Sequence, residues 1–230
     1  MKKHLLDQLY KKRAADKLKD FPDGYRQVGD FHEGIFDRER HISPWSMSSN
    51  NTESPVMILG QDWSSASHLS QPIEKNIYTK NLGYDPRLQT NKNLHKHLKV
   101  SFDLNFEDVY ASNVFVFIKP GGMSSRIPIR LMDYSATTYA IPEIEIVSPR
   151  IVICLGANTF RCLKRNCVTR SSFADSPMFG EIPHFTLQGI MFVHAPHPGS
   201  WGTKNAGGPL KVSKIWMEFP KMLSGFTTAL

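Results

Sequence analysis

Four short apolar runs, spread along the chain and separated by stretches with helical signals, constrain the fold more than any other feature. They occupy residues 56–59, 109–117, 151–155 and 190–193, and each is rich in β-branched or aromatic side chains. Such runs, bounded by turn formers, are the pattern of strands buried on both faces. Between them, Leu94 and Leu98 stand one helical turn apart behind a cap at Thr90 or Asn91, and residues 157–163 follow Gly156 directly at a strand end. Residues 130–141 form a further predicted helix, stopped by Pro142. Strands alternating with helices imply an α/β fold, a mostly parallel four-stranded sheet with helices on both faces. Ligands of such sheets bind outside the carboxyl ends of the strands.

Before the first run, residues 2–19 set Leu5, Leu6, Leu9 and Leu18 among lysines and aspartates. That spacing predicts an amphipathic helix with a basic outer face, either docked on the domain or reaching for phosphates. Residues 21–55 show little periodicity and read as irregular chain. The expected organisation is a helical and irregular extension over residues 1–54, packed on a single α/β domain over residues 55–230.

A length of 230 residues suits one substantial core. No apolar run approaches the roughly 20 residues that span a bilayer, so no membrane partner and no secretion are expected, and the compartment is read as cytoplasmic or nuclear. The three cysteines, Cys154, Cys162 and Cys167, are an odd number, which argues against a disulfide framework. A net charge of +7 favours polyanionic partners, because neutralising phosphates releases condensed counterions. A monomer is expected.

The chemistry-bearing residues fall at the predicted strand ends. The first strand leads into Gly60-Gln61-Asp62-Trp63, the second carries Asn113, and the last runs into His194-Ala195-Pro196-His197-Pro198-Gly199-Ser200. Asp62 could orient a water or stabilise positive charge, or cap a turn. Asn113 is an amide inside an apolar run; it needs partners, either within the protein or on the edge of a ligand base. His197, between two prolines, could aim its ring at a ligand or serve the structure. His194 with His197 and a loose Cys162–Cys167 pair do not make a metal set, and neither Gly-Gly pair has the spacing of a phosphate-binding loop.

Together these segments resemble the uracil-DNA glycosylase superfamily, over roughly residues 55–201 and in the right order. Gly60-Gln61-Asp62 is similar to the first motif, residues 109–114 to the strand whose asparagine reads uracil, and Ile118-Lys119-Pro120-Gly121-Gly122 to the loop after it. Residues 149–157 resemble the third strand and turn, His197-Pro198-Gly199-Ser200 the last motif, and Thr90-Asn91-Lys92-Asn93-Leu94 a helix start of some bacterial members. The resemblance implies a three-layer αβα sandwich around four parallel strands. It also implies a DNA glycosylase acting in base excision repair, in which Asp62 assists water attack, Asn113 binds the base edge and His197 stabilises the departing base. The substrate is DNA with a damaged or deaminated base, most simply uracil, flipped out of the stack. This chemistry calls for no cofactor.

Two places depart from the best-known branch: Trp63 and Ser64 stand where a proline and a thymine-excluding tyrosine are usual, so discrimination against other bases is relaxed. Three cysteines do not supply the four ligands of the cluster some branches carry. Gln61, Trp63 and Tyr84 complete the expected base-binding set, the last two as stacking aromatics. Ser64, Ser200 and Trp201, with Ser65, Ser124 and Ser125, are the expected DNA contacts, Trp201 either as a wedge in the duplex or as a packed ring. The rival readings are a DNA-binding module without catalysis and a hydrolase of other nucleotides.

Overall fold

The computed structural model describes residues 1–168 and 182–227. Its centre is a five-stranded sheet: β1 (Val56–Asp62), β2 (Tyr110–Phe115), β3 (Ile151–Leu155), β4 (His184–Leu187) and β5 (Ile190–Ala195), in the order β2-β1-β3-β5-β4. The pairs β1–β2, β1–β3 and β3–β5 are parallel, as the buried apolar runs predict, and β4 adds an antiparallel edge to β5. The sheet thus has one strand more than the four expected. β4 and β5 form a tight hairpin through Gln188 and Gly189, both with positive φ (50° and 76°), which matches the twist of paired strands.

Alternate residues of β1 serve opposite faces. Met57 and Leu59 join Leu6 and Leu9 of α1 (Lys2–Ala14), while Val56 and Ile58 lie in the other core. After the short helices α2 (Ala66–Leu69) and α3 (Ile77–Leu82), α4 (Gln89–Phe102) covers that second face with Leu94 and Leu98. The first face is completed by α5 (Ile129–Ser135), α6 (Ile141–Val147) and α7 (Ala157–Val168). Past β5 come α8 (Ser200–Asn205) and α9 (Pro209–Thr227), the latter stacking Trp216 on His97 of α4 at 5.1 Å. Helices therefore flank the sheet on both sides.

Pro142 does not stop its helix. A π turn at Ala136–Ala140 runs into α6, and the wider turn accommodates the proline, which lacks an N–H. The helix ends instead at Ser148, in the left-handed region (φ 49°). The N-terminal helix also ends earlier than its sequence pattern suggests, at Ala14 rather than Lys19. Beyond it, residues 15–55 are irregular but not peripheral: Ile42 sits in one core, Phe36 and Trp45 in the other, and Arg26 pairs with Ile118 beside β2. Among the described residues, no helix is long and apolar enough to cross a membrane.

Candidate active site

The strand order reverses at β1, whose partners β2 and β3 leave in opposite directions. The carboxyl ends of β1 and β3 are therefore the switch point where ligands of such sheets bind. Asp62 closes β1, Gly156 follows β3, and His197 follows β5.

Asp62 is held from both sides. Its Oδ1 accepts from Gln61 Nε2 at 2.9 Å, and Gln61 Oε1 in turn accepts from Asn158 Nδ2, early in α7, at 3.0 Å. Its Oδ2 lies 2.7 Å from the Lys119 ammonium, and the two side chains are 8% and 2% exposed. Lys119 Nζ also donates to the Met123 carbonyl at 2.6 Å. The cation and the amide N–H that face this enclosed carboxylate replace the hydration it has lost. Lys119 arrives just past β2, where its backbone pairs with Ser65 and accepts from Ala66 N–H. Sequence reasoning passed over it; the available signal was a lysine ending an apolar run.

His197 reaches the surface between the buried Pro196 and Pro198. Its Nδ1 accepts the Gly199 backbone N–H at 3.0 Å, which places the proton of the neutral imidazole on Nε2 and leaves that N–H as a donor. Burial by the surrounding protein lowers its pKa below the ordinary histidine value, and the negative charge of Asp62 acts in the opposite sense. Glycines make the loop: a Cβ on Gly202 would stand 2.2 Å from the His197 carbonyl oxygen, and one on Gly199 2.9 Å from Nδ1. Asn93, early in α4, donates to the Pro198 carbonyl at 2.7 Å and ties that helix to the loop.

Asn113 lies in mid β2, opposite Gly60 in the register, and is fully buried. Its Oδ1 accepts from Ser43 Oγ at 2.6 Å, while its Nδ2 is enclosed with no hydrogen-bond partner among the described residues. A Cβ on Gly60 would fall 2.6 Å from Nδ2 and 3.2 Å from the Trp45 ring, so amide and indole both abut the Gly60 α-carbon.

The two aromatic candidates lie elsewhere. Trp63 is a core residue: it is buried against Phe36, and its indole N–H donates to the Gly83 carbonyl at 2.7 Å. Tyr84 packs edge-on against Phe106 at 5.0 Å, and Phe106 in turn meets Trp45 edge-on. Trp45, which sequence reasoning missed, is thus the aromatic that adjoins Asn113. Ser64 and Ser65 are buried, their hydroxyls without partners among the described residues, so they do not lie on a surface that DNA could touch. Ser124 and Ser200 are exposed. Trp201 is 75% exposed, with the Lys204 ammonium 5.6 Å from its ring centre, which excludes the packed-ring reading. Cys154, Cys162 and Cys167 are buried and none is joined in a disulfide. No family model matches this chain, and neither does any curated protein sequence.

Proposed function

We propose that the protein is a DNA glycosylase that accepts a flipped base at the β1–β3 switch point and hydrolyses its N-glycosidic bond. The observation that carries this reading is the placement, at the carboxyl ends of β1 and β5, of Asp62 ion-paired with Lys119 and of His197, whose Nδ1 accepts the Gly199 N–H and so leaves Nε2–H as the donor. Base release needs those two functions. As the C1′–N bond breaks, its electron pair leaves on the base, and the imidazole N–H steadies the charge gathering on a ring carbonyl oxygen. A preorganised donor of this kind contributes about 3 kcal/mol. The sugar cation left behind is stabilised by the Asp62 carboxylate and captured at C1′ by water, which gives up a proton to solvent. The two bonds already made to Asp62 leave lone pairs to orient that water.

The protruding Trp201 with Lys204 and the exposed Lys92 beside the Asn93–Pro198 bond suit contact with stacked bases and phosphates at the rim. One observation favours a second reading. The buried Lys119 cation offsets the charge that Asp62 offers a sugar cation, which suits a module that binds DNA without cutting the glycosidic bond. Incubation with oligonucleotides carrying uracil, hypoxanthine, xanthine or no lesion separates the two. Free base with an abasic site identifies the glycosylase; retention without product identifies the module.

A further inference from the structure

We infer that Ser43 is a positioning residue that fixes the orientation of the Asn113 amide, and so selects bases that present a carbonyl rather than an amino group. The inference rests on the proposal that a base is read at this crevice. It starts from an orphan. Asn113 Nδ2 is a buried donor without an acceptor, an arrangement that costs about 1–3 kcal/mol unless a ligand supplies one.

An isolated carboxamide can turn over and exchange its oxygen for its nitrogen. Here Ser43 prevents it. Ser43 caps the short helix Pro44–Met47, its Oγ accepting the Trp45 backbone N–H at 3.3 Å. The same hydroxyl donates its proton to Asn113 Oδ1 at 2.6 Å, so it is tied to both groups. The oxygen is therefore held towards Ser43, and Nδ2 lies enclosed against the Gly60 α-carbon, where a side chain would displace it. An amide held this way offers Nδ2–H to a carbonyl oxygen and the second lone pair of Oδ1 to a neighbouring ring N–H. Uracil presents that acceptor–donor pair. Cytosine presents the reverse, a donor facing a donor, and leaving such groups unpaired discriminates strongly. Substrate choice would then depend on a serine outside the α/β motif, 70 positions from the amide it orients.

The test compares the parent with Ser43→Ala and Ser43→Thr in binding to single-stranded oligonucleotides with one 2′-fluorinated deoxyuridine or deoxycytidine. The electron-withdrawing fluorine blocks cleavage, so recognition is read apart from chemistry. The parent should prefer the uracil oligonucleotide by about tenfold or more; Ser43→Ala should reduce the preference to about twofold, and Ser43→Thr should restore it. Melting temperatures check that each variant is folded. An alanine variant that keeps the preference, or a parent that binds both alike, overturns the inference. Loss of affinity for both oligonucleotides in equal proportion, uncorrected by threonine, makes Ser43 merely structural and overturns it too. A parent with the preference intact that releases no base from ordinary uracil DNA sinks the enzymatic proposal and leaves the role of Ser43 standing.

Discussion

The Lys119 ammonium meets the Asp62 carboxylate at 2.7 Å in a setting that leaves both side chains more than nine-tenths enclosed. Breaking such a pair from one side strands a buried charge. Lys119→Met should therefore lower stability by about 3–5 kcal/mol, whereas Lys119→Met with Asp62→Asn, which removes both charges, should lower it by far less. Denaturant unfolding of the two single variants and the double variant measures the coupling. Additive effects would mean that the pair is not the enclosed one described.

The protonation of His197 gives a second expectation. Its pKa is depressed by burial, so the neutral donor persists as pH falls past the ordinary histidine range. Base release should stay flat down to about pH 6.5 and fall only below it. Because Asp62 raises this pKa, Asp62→Asn should depress it further. Proton-detected titration of the His197 ring reads both; a value at or above that of a free histidine, or an upward move in the variant, contradicts the assignment. The same depression makes the unfolded chain take up the proton first on acidification, so this histidine's contribution to stability falls with pH below the unfolded value.

Glu143 acts in the opposite sense. It is buried beneath β2, accepting from Tyr110 Oη and Ser112 Oγ at 2.7 Å each, and desolvation pushes its pKa up to about 7. The folded state holds the proton that the unfolded state loses near pH 4.5, so the benefit is present at low pH and is lost as pH rises through about 7. Glu143→Gln, uncharged throughout, should gain on the parent as pH rises from 4.5 to 7, by an amount on the order of 3 kcal/mol in all, and no further above that. Melting temperatures across that interval decide it: a constant gap between the two proteins would show that Glu143 does not titrate there.

Trp201 should matter for duplex DNA and hardly at all for the fold. With the ring 75% exposed, Trp201→Ala removes little buried surface, and the melting temperature should move by no more than a surface substitution does. Excision from duplex should slow more than from single strands, by up to the roughly 1–3 kcal/mol that a stacked base supplies. Equal slowing on both substrates would remove Trp201 from the hole left by a flipped base.

The parallel strands were legible because burial on both faces writes an unbroken apolar run, as in Ile151–Leu155. The edge strand His184–Leu187 was not, being four residues with no such run, tied to the sheet by its hairpin. The strand-end rule found Asp62 and His197 because their placement follows from chain order. It could not find Ser43, Trp45 or Lys119. The first two come from a stretch without periodicity and reach the site through tertiary contacts alone, and a lysine at the end of a hydrophobic run reads as the point where a strand meets water. Trp63 misled for a related reason. Its position beside Asp62 suggested the crevice, but its side chain turns to Phe36 and Gly83 in the core.

The docking of α1 sets an order in time. Lys2 Nζ donates to the Val147 carbonyl at 2.9 Å across 145 positions, and Leu6 and Leu9 rest in a core completed by α5, α6 and α7. On a growing chain, α1 is made long before those helices exist, and its apolar side meets solvent or a chaperone until they do. Closing contacts over such a span is slow, and the waiting surface invites association between unfinished chains. Yield on expression should therefore respond to substitutions at Leu6 and Leu9 more sharply than the equilibrium stability of the finished protein does.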